Sequence, residues 1–284
     1  MAIRARRHIE RRFDRETVKV TSYLGRDFAY PADSMIGRHV AARGAWDAIL
    51  ATIVDLAFVE PDPFICEVGS NIGASLLQIL RGKPGARVLA LEPSEAFRPF
   101  LMRNLAAVES HAVRVSPAFV GSQAGTTWLY NNETTASAWG PEYADHEPRG
   151  RQLVEVDTLD RLLSGEGRVD FIKVDTDGFD FDVLAGGEHL LQRDRPLLFF
   201  ELAPDLAPDS ATRLGHLQEL GYRRFICLSP GQAAAIIGVT EIPDQAVEWA
   251  SASGYCDILC CNSEALGGEA LSSRLERGLH SAAQ

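Results

Sequence analysis

A chain of 284 residues with 46% hydrophobic content is long enough for one large α/β domain plus an extension. A formal net charge of −11 argues against a protein that grips nucleic acid through its phosphates. No stretch supplies the roughly 18 apolar residues of a membrane span, and no apolar run behind the basic start reads as a signal peptide, so a cytoplasmic location is expected.

The chain opens on a basic arm with Arg4, Arg6, Arg7, Arg11, Arg12 and Arg15. Residues 1–33 read as weakly ordered and the arm as a solvated terminus, with a turn near Tyr30-Pro31. A helix is expected from about Ser34. After Gly44, the spacing of Trp46, Ile49, Leu50, Ile53, Val54 and Leu56 predicts an amphipathic helix. Pro61 and Pro63 punctuate.

From Phe64 the pattern alternates strand and helix. Strands are predicted over 64–68, 87–92, 112–116, 169–174 and 196–201, and helices over about 74–81, 94–108, 179–191 and 210–220. Such alternation means a parallel sheet with helices on both faces. Two late strands are predicted over 222–228 and 255–261. Residues 121–152 interrupt the pattern with Asn131, Asn132, Thr134, Thr135, Ser137, Trp139, Tyr143, His146 and Arg149. A polar, aromatic-bearing loop of that length is expected to face a substrate. The expected divisions are an arm and helical extension over 1–60, a main domain over 61–264 and a tail over 265–284. The five cysteines include no CxxC pair and read as buried free thiols rather than a zinc site.

Carboxylates at the tips of adjacent strands in an open α/β sheet lie where ligands bind. Asp175 and Asp177 end one predicted strand and Glu201 the next, so these acids are candidates for a general base or for metal ligands. His39 and His146 are alternative bases. Asp180 and Asp182 read as acids complementing a helix N-terminus.

The strand over 64–68 runs into Glu67-Val68-Gly69-Ser70-Asn71-Ile72-Gly73 and then a helix. Gly69 permits a tight turn and close approach of a ligand. Asn71 tolerates a left-handed backbone, and the helix start behind it offers N–H groups. The string GSNIG lacks the second glycine of a dinucleotide fingerprint, and no phosphate-loop Lys-Ser/Thr pair follows. Glu67 would crowd a pyrophosphate and better suits a ligand with a free amino group, such as S-adenosylmethionine. Glu92, followed by Pro93, ends the second strand where an acid takes ribose hydroxyls. A nicotinamide-dependent oxidoreductase is the competing enzyme reading, and a binding scaffold without catalysis is the non-enzymatic one.

Four segments resemble the FkbM family of S-adenosylmethionine-dependent methyltransferases: FICEVGSNIGAS, LALEPSEAFRPFLMRN, VEVDTLDRLL, and VDFIKVDTDGFDFDVLAGGEHLL with the following PLLFFEL. Together they span about residues 64 to 202. The stretch IGRHVAARGAWDAIL resembles the family's lead-in less specifically. The resemblance implies a class I methyltransferase fold, a Rossmann-like seven-stranded sheet whose last strand is antiparallel. It implies O-methylation of a hydroxyl on a sugar, polysaccharide or secondary metabolite. Carried over by position, Glu67, Gly69, Ser70, Asn71 and Gly73 would line the methionine side. Glu92 with Pro93 would hold the ribose, and Asp175 would stand near the methyl group. Asp175, Asp177 and His146 are the catalytic candidates. Asp175, Asp177 and Glu201 are the candidate Mg2+ ligands, since hard oxygen donors favour that ion. Where the family commonly has glutamates, this chain has Asp177 and Asp180, one methylene shorter. The expected partner is a small-molecule or glycan acceptor bearing a hydroxyl, with no nucleic acid; a homo-oligomer stays open.

Overall fold

The computed structural model describes residues 18–106, 108, 112–131, 136–138, 150–230, 235–263 and 268–282. The N-terminal elements are β1 (Val18–Tyr23), β2 (Arg26–Pro31), α1 (Met35–Arg43) and α2 (Ile49–Ala57). Next come β3 (Phe64–Val68), α3 (Ala74–Gly82), β4 (Arg87–Leu91), α4 (Arg98–Leu105) and β5 (Val113–Ser116). A second group of strands follows: β6 (Phe119–Val120), β7 (Gly125–Asn131), β8 (Ala136–Ser137) and β9 (Gly150–Asp157). The chain continues with α5 (Leu159–Leu162), β10 (Phe171–Val174), α6 (Asp180–Ala185), α7 (Glu188–Asp194), β11 (Leu197–Leu202) and α8 (Ser210–Glu219). It closes with β12 (Arg224–Leu228), β13 (Ile236–Thr240), α9 (Pro243–Ser253), β14 (Cys256–Cys261) and α10 (Gly268–Ala282).

The large sheet has the order β13-β12-β14-β11-β10-β3-β4-β5. From β5 through β11 neighbouring strands are parallel. β14 is antiparallel to both of its neighbours, β11 and β12. This is the α/β sheet with an antiparallel closing strand expected of the class I methyltransferase fold. β13 adds an eighth strand, antiparallel on the edge beyond β12.

Because β3 and β10 are covered on both faces, every residue in them is buried, and their sequences carry no polar alternation. One apolar layer includes Val174, Phe181, Phe200, Leu214 and Phe225. The other gathers Ile53, Ile65, Ile79, Phe171 and Leu275. Each fully buried side chain of this kind contributes about 1.5–3 kcal/mol. The chain builds β4 and β5 on one side of β3, then crosses to build β10 and β11 on the other. The cleft over the β3/β10 boundary is therefore the topological switch point.

Four expectations change. Residues 18–31, read as weakly ordered, form the β1–β2 hairpin. Its two turn residues, Leu24 (φ 51) and Gly25 (φ 75), are both left-handed, which matches the twist of a two-residue hairpin. Tyr23, Phe28, Ala29 and Tyr30 are buried. Asn104 ties the hairpin down, donating to Ala29 O and Ile72 O and accepting from Ala29 N. Local pattern was too short to announce strands whose partner surface lies 75 residues away.

Second, the described part of 121–152 supplies β7, β8 and the start of β9 to a small sheet of order β6-β9-β7-β8. Third, the single helix expected over 179–191 is two, α6 and α7, broken at Gly186-Gly187. An added Cβ on Gly186 would strike the Gly121 carbonyl, so close backbone approach keeps that glycine. Asp160 then accepts from the N–H groups of His189 and Leu190 at the start of α7. Fourth, the expected tail contains the helix α10, whose Leu275 and Leu279 are buried.

Candidate active site

The C-terminal ends of β4, β3, β10 and β11, with the start of β14, wall a cavity of about 360 Å³. An antiparallel last strand matters here. It brings the beginning of β14 level with the ends of its neighbours, pairing Asp257 with Glu201.

At one end stands the glycine turn. Gly69 has φ 84 and Asn71 φ 45, as their residue types suggest. A Cβ on Gly69 would collide with the Asp175 carbonyl, so only glycine fits between the β3 and β10 tips. Gly69 N and Ser70 N both donate to Leu91 O at 3.1 Å, which locks the turn to β4. Glu92, 4% exposed, spends both carboxyl oxygens on backbone: Oε2 accepts from Asn71 N at 2.7 Å and Oε1 from Ser94 N at 2.8 Å. Burial pushes its pKa up to about 7 against the pull of those two donors.

Behind the turn lies a buried ion cluster. Glu67 and Lys173 face each other across β3 and β10, at 0% and 1% exposure. Glu67 accepts from the Ser70 and Ser75 hydroxyls, each at 2.7 Å. The Lys173 ammonium is 4.0 Å from Glu67 Oε1 and 3.0 Å from Asp175 Oδ2. Burial works to lower the Lys173 pKa, but Asp175 first, then Glu67 and Asp47, outweigh it and hold the pKa above the usual lysine range. Burial raises Glu67, opposed by Lys173 and the two hydroxyls. These donors surround Glu67 with the pattern of a carboxylate, so we take the cluster as charged.

The other end is crowded with acids. Asp175, Asp177, Glu201, Asp257 and Asp47 all line the cavity. Burial, then Asp175, Asp180, Asp177 and Asp257, push Glu201 up to about 9. Burial, Asp47 and Asp175 likewise raise Asp257. Asp47 sits at φ 46 between α1 and α2, and burial pushes it up to about 7 although Lys173 pulls it down. Asp180, read as a helix-terminus acid, is buried. It accepts from Thr176 N, Thr176 Oγ1 and Glu201 N, bridging the tips of β10 and β11.

Of the residues singled out in the sequence, Gly69, Ser70, Asn71, Glu92, Pro93, Asp175, Asp177 and Glu201 meet on the cavity wall. Glu67 and Gly73 lie behind it: Glu67 has no exposed surface, and Gly73 (φ 89) abuts Leu101. His39 and Trp46 also line the cavity, ring centroids 5.2 Å apart and edge to face. Burial and then Arg43 lower the His39 pKa. His146, Trp139, Tyr143 and the arginines of the basic arm lie outside the described residues.

Among the described residues, no three His, Cys, Asp or Glu side chains are grouped to hold a metal ion. Asp175 instead turns Oδ2 to the Lys173 ammonium. All five cysteines are buried and unpaired by disulfides. Among the described residues no helix is long and apolar enough to cross a membrane. Asp47, Lys173, Tyr255 and Asp257 were missed as site residues. Lys173 and Asp257 each carried a signal, a lone charge inside an apolar strand.

A family model described as the methyltransferase FkbM domain matches residues 67–224. Methyltransferase sdnD of Sordaria araneosa is 30% identical over 46% of this chain and 63% of its own length. The 2-O-methyltransferase NoeI of Sinorhizobium fredii is 24% identical over 48% of this chain and 62% of its own. The chain thus spans less than two thirds of the curated relatives it matches. The crystal structure of methyltransferase FkbM from Methylobacillus flagellatus KT overlays with a TM-score of 0.46 at 15% identity, covering 70% of this chain and 44% of that one.

Proposed function

This chain belongs to the FkbM methyltransferase family, and on that premise we propose that it transfers a methyl group from S-adenosylmethionine to a hydroxyl of a sugar, polysaccharide or secondary metabolite. The observation that carries the donor reading is a buried acid, Glu92, one strand from a left-handed glycine turn on the same cavity wall. The residues fit the donor. Leu91, Ala118 and Phe119 offer an apolar slot for a flat ring, Glu92 an acceptor for ribose hydroxyls, and the acids around Asp175 a negative field for a cation. A hydroxyl acceptor agrees with the name of one relative, a 2-O-methyltransferase.

When bound, S-adenosylmethionine supplies a methyl carbon on positively charged sulfur. The residues then have to align the acceptor oxygen with that carbon and take its proton. Asp175 is our candidate for this work. Its Oδ2 is anchored on buried Lys173, its Oδ1 has no hydrogen bond among the described residues, and its side chain is 42% exposed. Asp177, on the left-handed turn beside it, and His39, across the cavity, are the secondary candidates.

The test has two stages. Calorimetric titration with S-adenosylhomocysteine is expected to give micromolar binding, and no binding would sink the donor reading. Methyl-labelled S-adenosylmethionine, offered with a panel of glycosides and hydroxylated metabolites, then identifies the acceptor. On that acceptor Asp175→Asn is expected to lower kcat about 100-fold or more while leaving S-adenosylhomocysteine affinity within about threefold. A variant turning over at the wild-type rate would remove Asp175 as base.

A further inference from the structure

The segment that follows Glu92 is held from the second sheet. Gln152 on β9 spends its whole side-chain amide there: Nε2 donates to Pro93 O at 2.8 Å and Oε1 accepts from Glu95 N at 3.1 Å. Asn131, at the end of β7, accepts from the Ser94 hydroxyl through Oδ1 at 2.8 Å. Ser94, caught between them, donates its N–H to Glu92, and Glu92 takes the Asn71 N–H of the glycine turn. One chain of hydrogen bonds thus runs from the second sheet through the buried acid to the turn.

The strand period explains how both side chains reach this point. Leu129 and Asn131 share one face of β7, and Gln152 and Val154 the same face of β9. Leu129 and Val154 are buried on that face, so Asn131 and Gln152 are its polar continuation at the cavity end. Arg98 also donates to Glu92 O and Pro93 O, but it ties the segment to its own helix. An amide that uses donor and acceptor on backbone groups two residues apart fixes angle as well as position.

We propose that Gln152 and Asn131 are positioning residues for the donor nucleoside, holding the Pro93–Glu95 turn so that Glu92 is aimed at the ribose hydroxyls. This rests on the S-adenosylmethionine reading above. It makes the second sheet part of the donor site, although its strands contain none of the strand-tip acids.

The test is calorimetry on the full chain with S-adenosylhomocysteine and with its 2′-deoxyribosyl analogue, alongside thermal melting without ligand. Gln152→Leu is expected to weaken S-adenosylhomocysteine about tenfold, the effect of one to two hydrogen bonds, with the melting temperature within about 2 °C of wild type. The penalty should shrink for the deoxy analogue, which lacks a group that Glu92 is held to meet. Leu153→Ala, exposed on the opposite face, should change neither affinity. If Gln152→Leu unfolds, Asn131→Ala decides, with an expected loss of about threefold to tenfold. Wild-type affinity in a folded variant overturns the proposal, and so does an equal penalty for both ligands, the mark of a merely structural role. Failure of the wild-type chain to bind S-adenosylhomocysteine would instead overturn the donor reading, and the proposal with it.

Discussion

At the glycine-turn end of the cavity, Glu67 and Glu92 each receive two hydrogen bonds, from serine hydroxyls or backbone N–H groups. At the far end, Glu201 and Asp257 face Asp175, Asp177 and Asp47, and like charges help burial to raise them. Burial raises the acids at both ends, but their neighbours differ. Donors aimed at a carboxylate fix its position, whereas neighbouring carboxylates raise its hold on a proton. The first arrangement suits recognition of a ligand of fixed shape. The second stores negative field where a cation, or an acceptor's proton, would arrive.

Lys173 joins the two ends, so its removal should have the largest effect. Lys173→Met leaves Glu67 and Asp175 without their ammonium and is expected to cost about 3–5 kcal/mol in chemical denaturation. A loss under about 1 kcal/mol would mean that the buried acids are neutral at rest. Restoring charge balance with Glu67→Gln in the same chain should recover part of the loss. Gly69→Ala comes next: a Cβ at φ 84 against the Asp175 carbonyl should cost about 2–4 kcal/mol and lower the melting temperature about 5–10 °C. Glu92→Gln should weaken S-adenosylhomocysteine about 10-fold to 100-fold, because charge-assisted hydrogen bonds contribute about 1.5–3 kcal/mol. Unchanged affinity would move the ribose contact elsewhere.

The last prediction sharpens the acidic end. An acid whose folded pKa is raised binds its proton more tightly folded than unfolded, so its contribution to stability is lost as pH rises between the two values. For Glu201 that window runs from the ordinary glutamate value of 4.5 to about 9. The protein without ligand should melt at a higher temperature near pH 5 than near pH 8.5. Glu201→Gln, held neutral, should flatten that slope and raise the melting temperature on the alkaline side. A slope identical to wild type would mean Glu201 does not carry it.

The glycine-turn end was legible because its determinants are local. Gly69, Asn71 and Glu92 sit within 24 residues of one another, and each type is demanded by its own backbone or strand tip. The acidic end was half legible. Asp175, Asp177 and Glu201 could be read as strand tips. Asp257 was not, although the resemblance implied an antiparallel last strand, because the register that sets it opposite Glu201 is not written in its own stretch. Asp47 was hidden in a connection whose only marks were Gly44 and Trp46. Asp180 is the helix-terminus acid its sequence suggested, and only the neighbouring tip adds the bond from Glu201 N. The β1–β2 hairpin and the β7–β9 pair were missed for a related reason: both are stabilised by distant surfaces that short patterns do not name.

Four motif segments carried the resemblance to the family. Apolar period and turn chemistry, written in the residues themselves, determined the alternation of strand and helix and the strand-to-helix glycine turn. These follow from forces acting over a few residues. Tertiary structure alone decided which acids share a cavity, that the Lys173 ammonium faces Asp175, and that Gln152 reaches Pro93 from another sheet. Those outcomes depend on strand order and direction, and an ion pair or hydrogen bond forms only when packing brings its partners within about 3 Å.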